Sequence, residues 1–258
     1  MKITALIENV PLSDEFYSEH GLSLYIETSD NKILFDMGQT DLYIKNAELL
    51  GIDLSKVDFA VLSHGHYDHG GGLERFFEIN KEAPVYISRF AFEPHYNGFD
   101  KYIGLNVNLI DNPRIVFVDD LFSITENMHF YSCNNKDRFF DLGSFGLCTF
   151  EDGEFVPDDF RHEQYFLIEE NGKKVLISGC SHKGILDITR WFTPDVLVGG
   201  FHFCKLEIDN KLKEYAEIMD RYDTVFYTCH CTGMEQFEFM KEHMKHINYL
   251  KSGMTIEI

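Results

Sequence analysis

Hydrophobic and polar positions in the first third of the chain alternate as short apolar runs separated by turns. Runs that are rich in β-branched and aromatic residues and bounded by turn formers are typical of strands. Such runs predict strands over residues 3–8, 22–27 and 32–36. Residues 41–50 carry apolar side chains in a helical pattern that stops at Gly51, which predicts a helix. The unbroken apolar run at 59–63 predicts a strand buried on both faces.

The middle of the chain is less regular. A helix is predicted over 73–80 and a strand over 85–88. Residues 90–160 then mix aromatic residues, glycines and acids, with strand patterns at 114–118 and 128–132. We expect this stretch to be an insertion over one face of the fold, where loops commonly carry substrate specificity.

Regular patterns return after Gln164. The pair Asn171-Gly172 between two β-rich runs is a strong signal for a two-residue hairpin. The elements predicted here are strands at 165–169 and 174–178, a helix at 183–192, a strand at 195–198, a helix at 210–222, a strand at 224–228, a helix at 235–246 and a strand at 254–258. The chain has no internal repeat, linker or low-complexity segment, so we predict one domain spanning residues 1–258.

Charge and composition narrow the classes of partner. The 258 residues include 43 acidic and 23 basic side chains, a formal net charge of −20. A field of this sign repels phosphate backbones, so nucleic acid is not an expected partner. No run approaches the ~20 apolar residues of a membrane span, and the first apolar stretch ends at Glu8, which favours a strand over a signal peptide. The six cysteines lack the spacing of a secreted disulfide scaffold, which predicts a cytoplasmic protein with reduced thiols.

The segment that carries most chemistry is His64-Gly65-His66-Tyr67-Asp68-His69, named the histidine loop below. Ordinary core histidines occur singly, so three imidazoles and a carboxylate directly after a buried strand indicate metal binding. Histidines at i and i+2 project to the same side and can share one metal, which places Asp68 and His69 for a second. Gly65 and the glycines at 70–72 let the backbone turn tightly.

The run 61–73, Val-Leu-Ser-His-Gly-His-Tyr-Asp-His-Gly-Gly-Gly-Leu, resembles the H-x-H-x-D-H motif of the metallo-β-lactamase superfamily. Residues 33–38 resemble the first motif of that family, whose aspartate, here Asp36, supports the metal-binding loop. The resemblance implies an α/β (α+β) fold, the four-layer αβ/βα sandwich, with metals at one edge between two sheets. Later segments narrow the resemblance to the dihydropterin ribofuranosylaminobenzene-phosphate synthase-like subfamily. These segments are 21–23, 38–41, 177–182, 199–202 and 228–233.

The resemblance also implies further metal ligands. His230 follows the strand predicted at 224–228 and matches the last histidine motif of the superfamily. Cys180 stands where the superfamily usually has a bridging aspartate. A thiolate there favours zinc, whereas the other interpretation of Cys180 is a small buried hydrophobic residue. In the third motif, the spacing to the hairpin favours Glu163 as the ligand, with His162 as the alternative.

Several further residues have open interpretations. His182 and His202 follow later strands, and each could bind metal, contact substrate, donate a proton or be an ordinary loop residue. His95 could line the pocket from the 90–160 region or play only a structural role. Cys229 and Cys231 flank His230 and are interpreted as buried packing around the site.

The expected cofactors are two divalent metal ions, with zinc favoured and iron or manganese as alternatives. The first ion is expected on His64 and His66, with Glu163 or His162 as the third ligand. The second is expected on Asp68, His69 and His230, with Cys180 beside or between the two ions.

The predicted activity is hydrolysis of a small ester, lactone or phosphodiester by a metal-bound hydroxide. Asp68 would also orient the nucleophile, and His182 or His202 would protonate the leaving group. One alternative is a phosphoribosyl-transferring synthase of a pterin-type pathway, and another is a ligand-binding protein with degraded metal sites. The expected partner is a small-molecule substrate, without nucleic acid or membrane, and a homo-oligomer is left open.

Overall fold

The computed structural model describes residues 1–140 and 142–258. The strands are β1 (Lys2–Ile7), β2 (Ser23–Glu27), β3 (Lys32–Phe35), β4 (Phe59–Leu62), β5 (Val85–Ser88), β6 (His95–Asn97), β7 (Lys101–Tyr102), β8 (Ile115–Val118), β9 (Leu121–Thr125), β10 (Met128–Tyr131), β11 (Leu147–Glu151), β12 (Glu154–Pro157), β13 (Tyr165–Glu170), β14 (Lys173–Ile177), β15 (Val196–Gly199), β16 (Val225–Thr228), β17 (Ile247–Tyr249) and β18 (Thr255–Glu257). The helices are α1 (Leu42–Leu49), α2 (Tyr67–Gly70), α3 (Leu73–Ile79), α4 (Ile185–Phe192), α5 (Asn210–Met219) and α6 (Met234–Lys241).

These elements divide into two compact units. The first unit comprises Met1–Asp119, Gly146–Glu163 and Lys251–Ile258. The second unit comprises Asp120–Phe145 and Gln164–Leu250. Each unit contains its own seven-stranded sheet, and the first unit contains a smaller four-stranded sheet as well.

The large sheet of the first unit has the order β18-β1-β2-β3-β4-β5-β8. Strands β3, β4, β5 and β8 run parallel, and β18, β1 and β2 pair antiparallel. All four residues of β4 are buried, as expected for a central parallel strand with both faces covered. Helices α1 and α3 bury Tyr43 and Phe76 in the core of this unit.

The pairing of β3 with β4 positions the histidine loop. Phe35 lies opposite Val61, so the residues that follow the two parallel strands emerge at the same edge of the sheet. The first residues beyond this edge are Asp36 after β3 and Ser63 and His64 after β4. The Asp36 amide also donates to the Val61 carbonyl at 2.9 Å, which fixes Asp36 beside the loop.

The small sheet of the first unit, of order β12-β11-β6-β7, lies wholly within the 90–160 region. His95 on β6 lies opposite Thr149 on β11, and β11 pairs on its other side with β12. The Ile103 amide donates to the His95 carbonyl at 2.8 Å, and the Tyr67 amide donates to the Ile103 carbonyl at 2.8 Å. Backbone hydrogen bonds therefore connect this sheet to the histidine loop.

The sheet of the second unit has the order β17-β16-β15-β14-β13-β10-β9. Strands β14 to β17 are parallel, with α4, α5 and α6 in the crossovers between them. Because parallel strands end at one edge, the segments that follow β14, β15 and β16 meet there. Those segments carry Cys180, His202 and His230.

Most elements predicted from the pattern are confirmed within one or two residues, including the hairpin of β13 and β14. The helix predicted over 235–246 is too long, because it ends at Lys241 and residues 247–249 form β17. The helix predicted over 183–192 begins at Ile185, because Gly184 adopts φ 98°, which a helix does not contain. The single domain over 1–258 remains a prediction.

No helix within the described ranges is both long enough and apolar enough to cross a membrane.

Candidate metal-binding site

The side chain of Asp36 holds the histidine loop in place through hydrogen bonds. Its buried carboxylate accepts hydrogen bonds from the Ser63 amide and the Ser63 hydroxyl, both at 2.7 Å. The same carboxylate lies 2.7 Å from Nδ1 of His69. Asp36 itself adopts φ 58°, a conformation in which aspartate is tolerated better than most residues. The expected supporting role of Asp36 is therefore present in the geometry of the first unit.

The contact with Asp36 determines which nitrogen His69 can offer to a metal. Since Nδ1–H donates to the carboxylate, Nε2 is left as the ligand atom, and it lies 3.9 Å from Oδ2 of Asp68. Burial lowers the pKa of His69, but the Asp36 and Asp68 carboxylates outweigh burial and raise the pKa above its usual value. Asp68 also lies 3.2 Å from Nε2 of His20, which is more than half exposed.

The three imidazoles of the histidine loop pack against one another. The ring centroids of His64 and His69 are 4.1 Å apart, and those of His64 and His66 are 4.6 Å apart. Burial, followed by the neighbouring His162 and His95, lowers the pKa of His66 well below its usual value. The ring is therefore neutral at pH 7, which is the form that binds a metal.

Gly65 lets the histidine loop approach the segment around Ala91. A Cβ at this position would lie well inside van der Waals distance of the Ala91 carbonyl oxygen. The glycine is therefore needed for space rather than for an unusual φ. Its amide donates to Nδ1 of His162 at 2.9 Å, which ties the loop to the third predicted motif.

A group of four buried side chains brings the 90–160 region to the histidine loop. Each of these residues offers one atom that could bind a metal, and the four atoms all lie within 4.8 Å of one another. The residues are His66, His95, Asp158 and His162. Oδ2 of Asp158 lies 3.0 Å from Nδ1 of His95 and 3.3 Å from Nε2 of His162. Burial alone would raise the pKa of Asp158, but the two imidazoles hold it well below its usual range.

Glu163 and His162, the two alternatives for the third motif, are both fully buried. His162 joins the group with His66, and the charge of Glu163 contributes to the raised pKa of His69. Both residues thus lie in the surroundings of the histidine loop. The assignment of Glu163 as a metal ligand remains a prediction.

The second unit has its own group of side chains that could hold a metal ion. Cys180, His230 and Cys231 each place one ligand atom within 4.8 Å of the other two. The Sγ atom of Cys231 accepts from the His202 amide at 3.3 Å and donates to the Cys180 carbonyl at 3.5 Å. A Cβ on Gly200 would collide with this sulfur, so the glycine makes room for it. Cys231 therefore has ligand geometry as well as the packing role expected from the sequence.

His182 and His202 form a pair within the second unit. Their ring centroids are 4.4 Å apart, and the ring of Phe145 lies 5.2 Å from that of His202. Both histidines are less than a tenth exposed, and His202 adopts φ 56°. Such a pair can exchange a proton with a bound molecule, and neither histidine belongs to the group around Cys231.

The donor set of each unit fits a divalent metal. The first unit offers imidazoles and carboxylates, which suit zinc, iron or manganese, and the second unit offers thiols and one imidazole, which suit zinc. The residues that sequence reasoning did not assign to a metal are His95, Asp158 and Cys231. The sequence contained a signal for Cys231, which adjoins the His230 motif, and for His95 only as a residue that could line the pocket.

Comparison with known proteins shows which family the chain matches. The family model described as the metallo-β-lactamase superfamily matches residues 19–217. The chain belongs to this superfamily.

Individual relatives are similar along the whole chain. The 7,8-dihydropterin-6-methyl-4-(β-D-ribofuranosyl)-aminobenzene-5'-phosphate synthase of Methanocaldococcus jannaschii is 27% identical, over 100% of this chain and 96% of that protein. The crystal structure of Tm1679, a metal-dependent hydrolase of the β-lactamase superfamily, is 29% identical with a TM-score of 0.84, covering 100% of this chain and 99% of the other. The metallo-β-lactamase fold protein YhfI from Bacillus subtilis is 15% identical with a TM-score of 0.61, covering 100% and 98% of the two chains, and shares the fold.

These similarities confirm the predicted fold class, the α/β metallo-β-lactamase sandwich with mixed sheets and helices. They also confirm the predicted resemblance to the dihydropterin ribofuranosylaminobenzene-phosphate synthase.

Proposed function

We propose that this protein is a metal-dependent hydrolase of a small ester, lactone or phosphodiester. The observation that supports the proposal best is the buried Asp36–His69 contact, at 2.7 Å, beneath the histidine loop. A carboxylate that orients an imidazole in this way is typical of metal-ligating histidines. The superfamily is usually hydrolytic, and Tm1679 bears the description of a metal-dependent hydrolase.

The proposed cofactors are two divalent ions, with zinc favoured. The proposed ligands are His64, His66, Asp68, His69 and Glu163 in the first unit and Cys180 and His230 in the second. When bound, such ions lower the pKa of a water molecule and polarise the oxygen that gains charge. Asp36 orients His69, and the Ser63 hydroxyl lies 2.8 Å from Nδ1 of His64.

The protein's own residues would handle the protons of the reaction. In hydrolysis, an oxygen from water forms a bond to the carbonyl carbon or the phosphorus, and the bond to the leaving oxygen breaks. Asp68 is proposed to orient the attacking water, and its carboxylate can accept a proton. The leaving oxygen needs a proton in return, and His182 or His202 is proposed to donate it.

The test is turnover by purified protein whose zinc content has been verified. Panels of p-nitrophenyl esters, simple lactones and bis-p-nitrophenyl phosphate cover the three substrate classes. We expect turnover in one class, with a loss of about 100-fold or more in kcat/KM for Asp68→Asn. His129→Ala, on β10 of the second unit, is the matched control and should keep full activity. Absence of turnover in all three classes with zinc bound would argue against hydrolysis.

A second candidate function comes from the similarity to the pterin synthase over the whole chain. In this alternative the protein is a phosphoribosyl-transferring synthase of a pterin-type pathway. Its electrophile is a sugar carbon, and the acceptor is a second organic molecule instead of water. The net charge of −20 does not oppose a phosphorylated substrate, because bound metal ions reverse the local sign.

Incubation with a phosphoribosyl diphosphate donor, with and without a pterin-pathway precursor as the acceptor, distinguishes the two functions. The synthase predicts diphosphate release that requires the acceptor. The hydrolase predicts no dependence on the acceptor and turnover on the ester, lactone or phosphodiester panel.

A further inference from the structure

We infer that His95 is a metal ligand in addition to those of the family motifs, oriented by Asp158. The inference rests on the proposed metal binding and extends it to a residue outside the recognised motifs. Both residues belong to the first unit, where they share one buried group with His66.

The hydrogen bond between His95 and Asp158 determines the tautomer of His95. The Asp158 carboxylate is 6% exposed as a residue, and its Oδ2 lies 3.0 Å from Nδ1 of His95. A carboxylate only accepts hydrogen bonds, so Nδ1 of His95 carries the proton and donates it. The neutral ring then has its lone pair on Nε2.

That lone pair has no hydrogen-bond partner in the part of the chain that the structure describes. His95 is 1% exposed, and its Nε2 atom is buried without a donor. Buried polar atoms in folded proteins are nearly always satisfied. The nitrogen also lies on a ring that is 5.5 Å from the ring of His66, measured between centroids. An electron-pair acceptor such as a metal ion would satisfy His95 at this position.

The geometry of His95 repeats that of His69. In each case Nδ1 of an imidazole contacts a buried carboxylate, at 2.7 Å in the Asp36–His69 pair and at 3.0 Å in the Asp158–His95 pair. The first pair belongs to the family motif, and the second pair comes from the small sheet. Two such pairs in one unit indicate two imidazoles prepared to bind metal through Nε2.

His162 has a different role in the same group. Its Nδ1 accepts the Gly65 amide at 2.9 Å, so the neutral ring carries its proton on Nε2, which faces Asp158 at 3.3 Å. Nδ1 of His162 is thereby engaged with the loop, and its Nε2 lies beside Asp158. His162 positions Asp158, which in turn positions His95.

The experiment is a titration of metal-free protein with Co²⁺, followed by the visible absorption of the bound ion, together with zinc content by elemental analysis. We expect His95→Ala to lose one equivalent of metal or to bind it about 100-fold more weakly. Asp158→Asn keeps the shape of the side chain but loses the charge, and should weaken binding about 10–100-fold. His129→Ala, a histidine of the second unit, is the matched control and should leave the titration unchanged.

The outcomes separate the two proposals. If the wild-type protein binds no Co²⁺ or zinc, the proposed function fails. If the wild type binds metal and a folded His95→Ala binds it with the same stoichiometry and affinity, only the inference about His95 is overturned. Circular dichroism establishes that each variant is folded.

Should His95→Ala fail to fold, the wild type answers the same question by nitrogen NMR. The Nε2 resonance of His95 is expected to move when zinc is added, while the ring resonances of His129 stay in place. An unmoved Nε2 resonance in the zinc-loaded protein overturns the inference.

Discussion

At the scale of single residues, two carboxylates decide how imidazoles are presented in the first unit. Asp36 contacts His69 and Asp158 contacts His95, in both cases through Nδ1. The chain is otherwise strongly acidic, yet these two carboxylates are buried and engaged with histidine and with backbone amides. Their positions matter more to the proposed chemistry than the net charge does.

Replacing Asp36 by asparagine should weaken metal binding about 10–100-fold, because the amide no longer fixes the tautomer of His69. The measurement is the dissociation constant for zinc, by competition with a chromophoric chelator. Asp100→Asn, at an exposed position, is the control and should bind zinc as the wild type does. An Asp36→Asn variant with the affinity of the wild type would contradict the assigned role of Asp36.

At the scale of elements, the end of β4 and the glycine that follows it set the course of the histidine loop. Gly65 lies against the Ala91 carbonyl, whereas Gly51, beyond the end of α1, has open space around its Cβ position but adopts φ 70°. A substitution at Gly65 therefore measures the free-energy cost of crowding, and a substitution at Gly51 measures the free-energy cost of a side chain at positive φ.

Gly51→Ala should lower the free energy of unfolding by about 1 kcal/mol, because alanine is strained at positive φ. Gly65→Ala should cost more, about 2–3 kcal/mol, since the backbone around Ala91 has to move. Urea denaturation of the metal-free proteins measures both values. Equal costs for the two variants would refute the argument from crowding.

Strand β2 provides a test at alkaline pH. Burial of Tyr25, with a further contribution from Glu27, raises the pKa of its hydroxyl to about 12. The unfolded chain releases this proton near pH 10, so the stabilisation is complete below that pH and is lost as the pH rises toward 12. When the pH is raised from about 9 to about 11, the free energy of unfolding should fall in both proteins. The fall in Tyr25→Phe should be smaller than that in the wild type by on the order of 1 kcal/mol. Parallel losses in urea denaturation would contradict the assignment.

At the scale of the whole molecule, metal binding should stabilise the folded chain, because the unfolded chain does not hold the ligand groups together. Free zinc at 100 times its dissociation constant adds about 2.7 kcal/mol to the free energy of unfolding. Removing the metal with a chelator should therefore lower Tm by about 5–10 °C. Differential scanning calorimetry measures the shift, and the Asp36→Asn variant should show a smaller one. If adding the chelator to metal-loaded protein leaves the Tm unchanged, this prediction is contradicted.

Much of the fold was predictable because its signals are local. The buried strand β4, the hairpin of β13 and β14 and the alternation of strands and helices after it follow from hydrophobic period and turn residues. The short strands of the small sheet were missed, because they lie among aromatic residues and glycines without a clear period. Strand β17 was not predicted, since its pairing with β16 is a long-range interaction.

The sequence by itself determined the family, the histidine loop and the supporting aspartate. The residues of the loop lie within a few positions of one another, and the aspartate lies at the end of a neighbouring predicted strand. Only the tertiary structure brought His95 to Asp158, which are separated by 63 positions. Their meeting depends on the pairing of β6, β11 and β12. Likewise, the order of β14, β15 and β16 brings Cys231 to Cys180. Sheet register is decided by packing over the whole chain, so no local pattern records which distant side chains it will join.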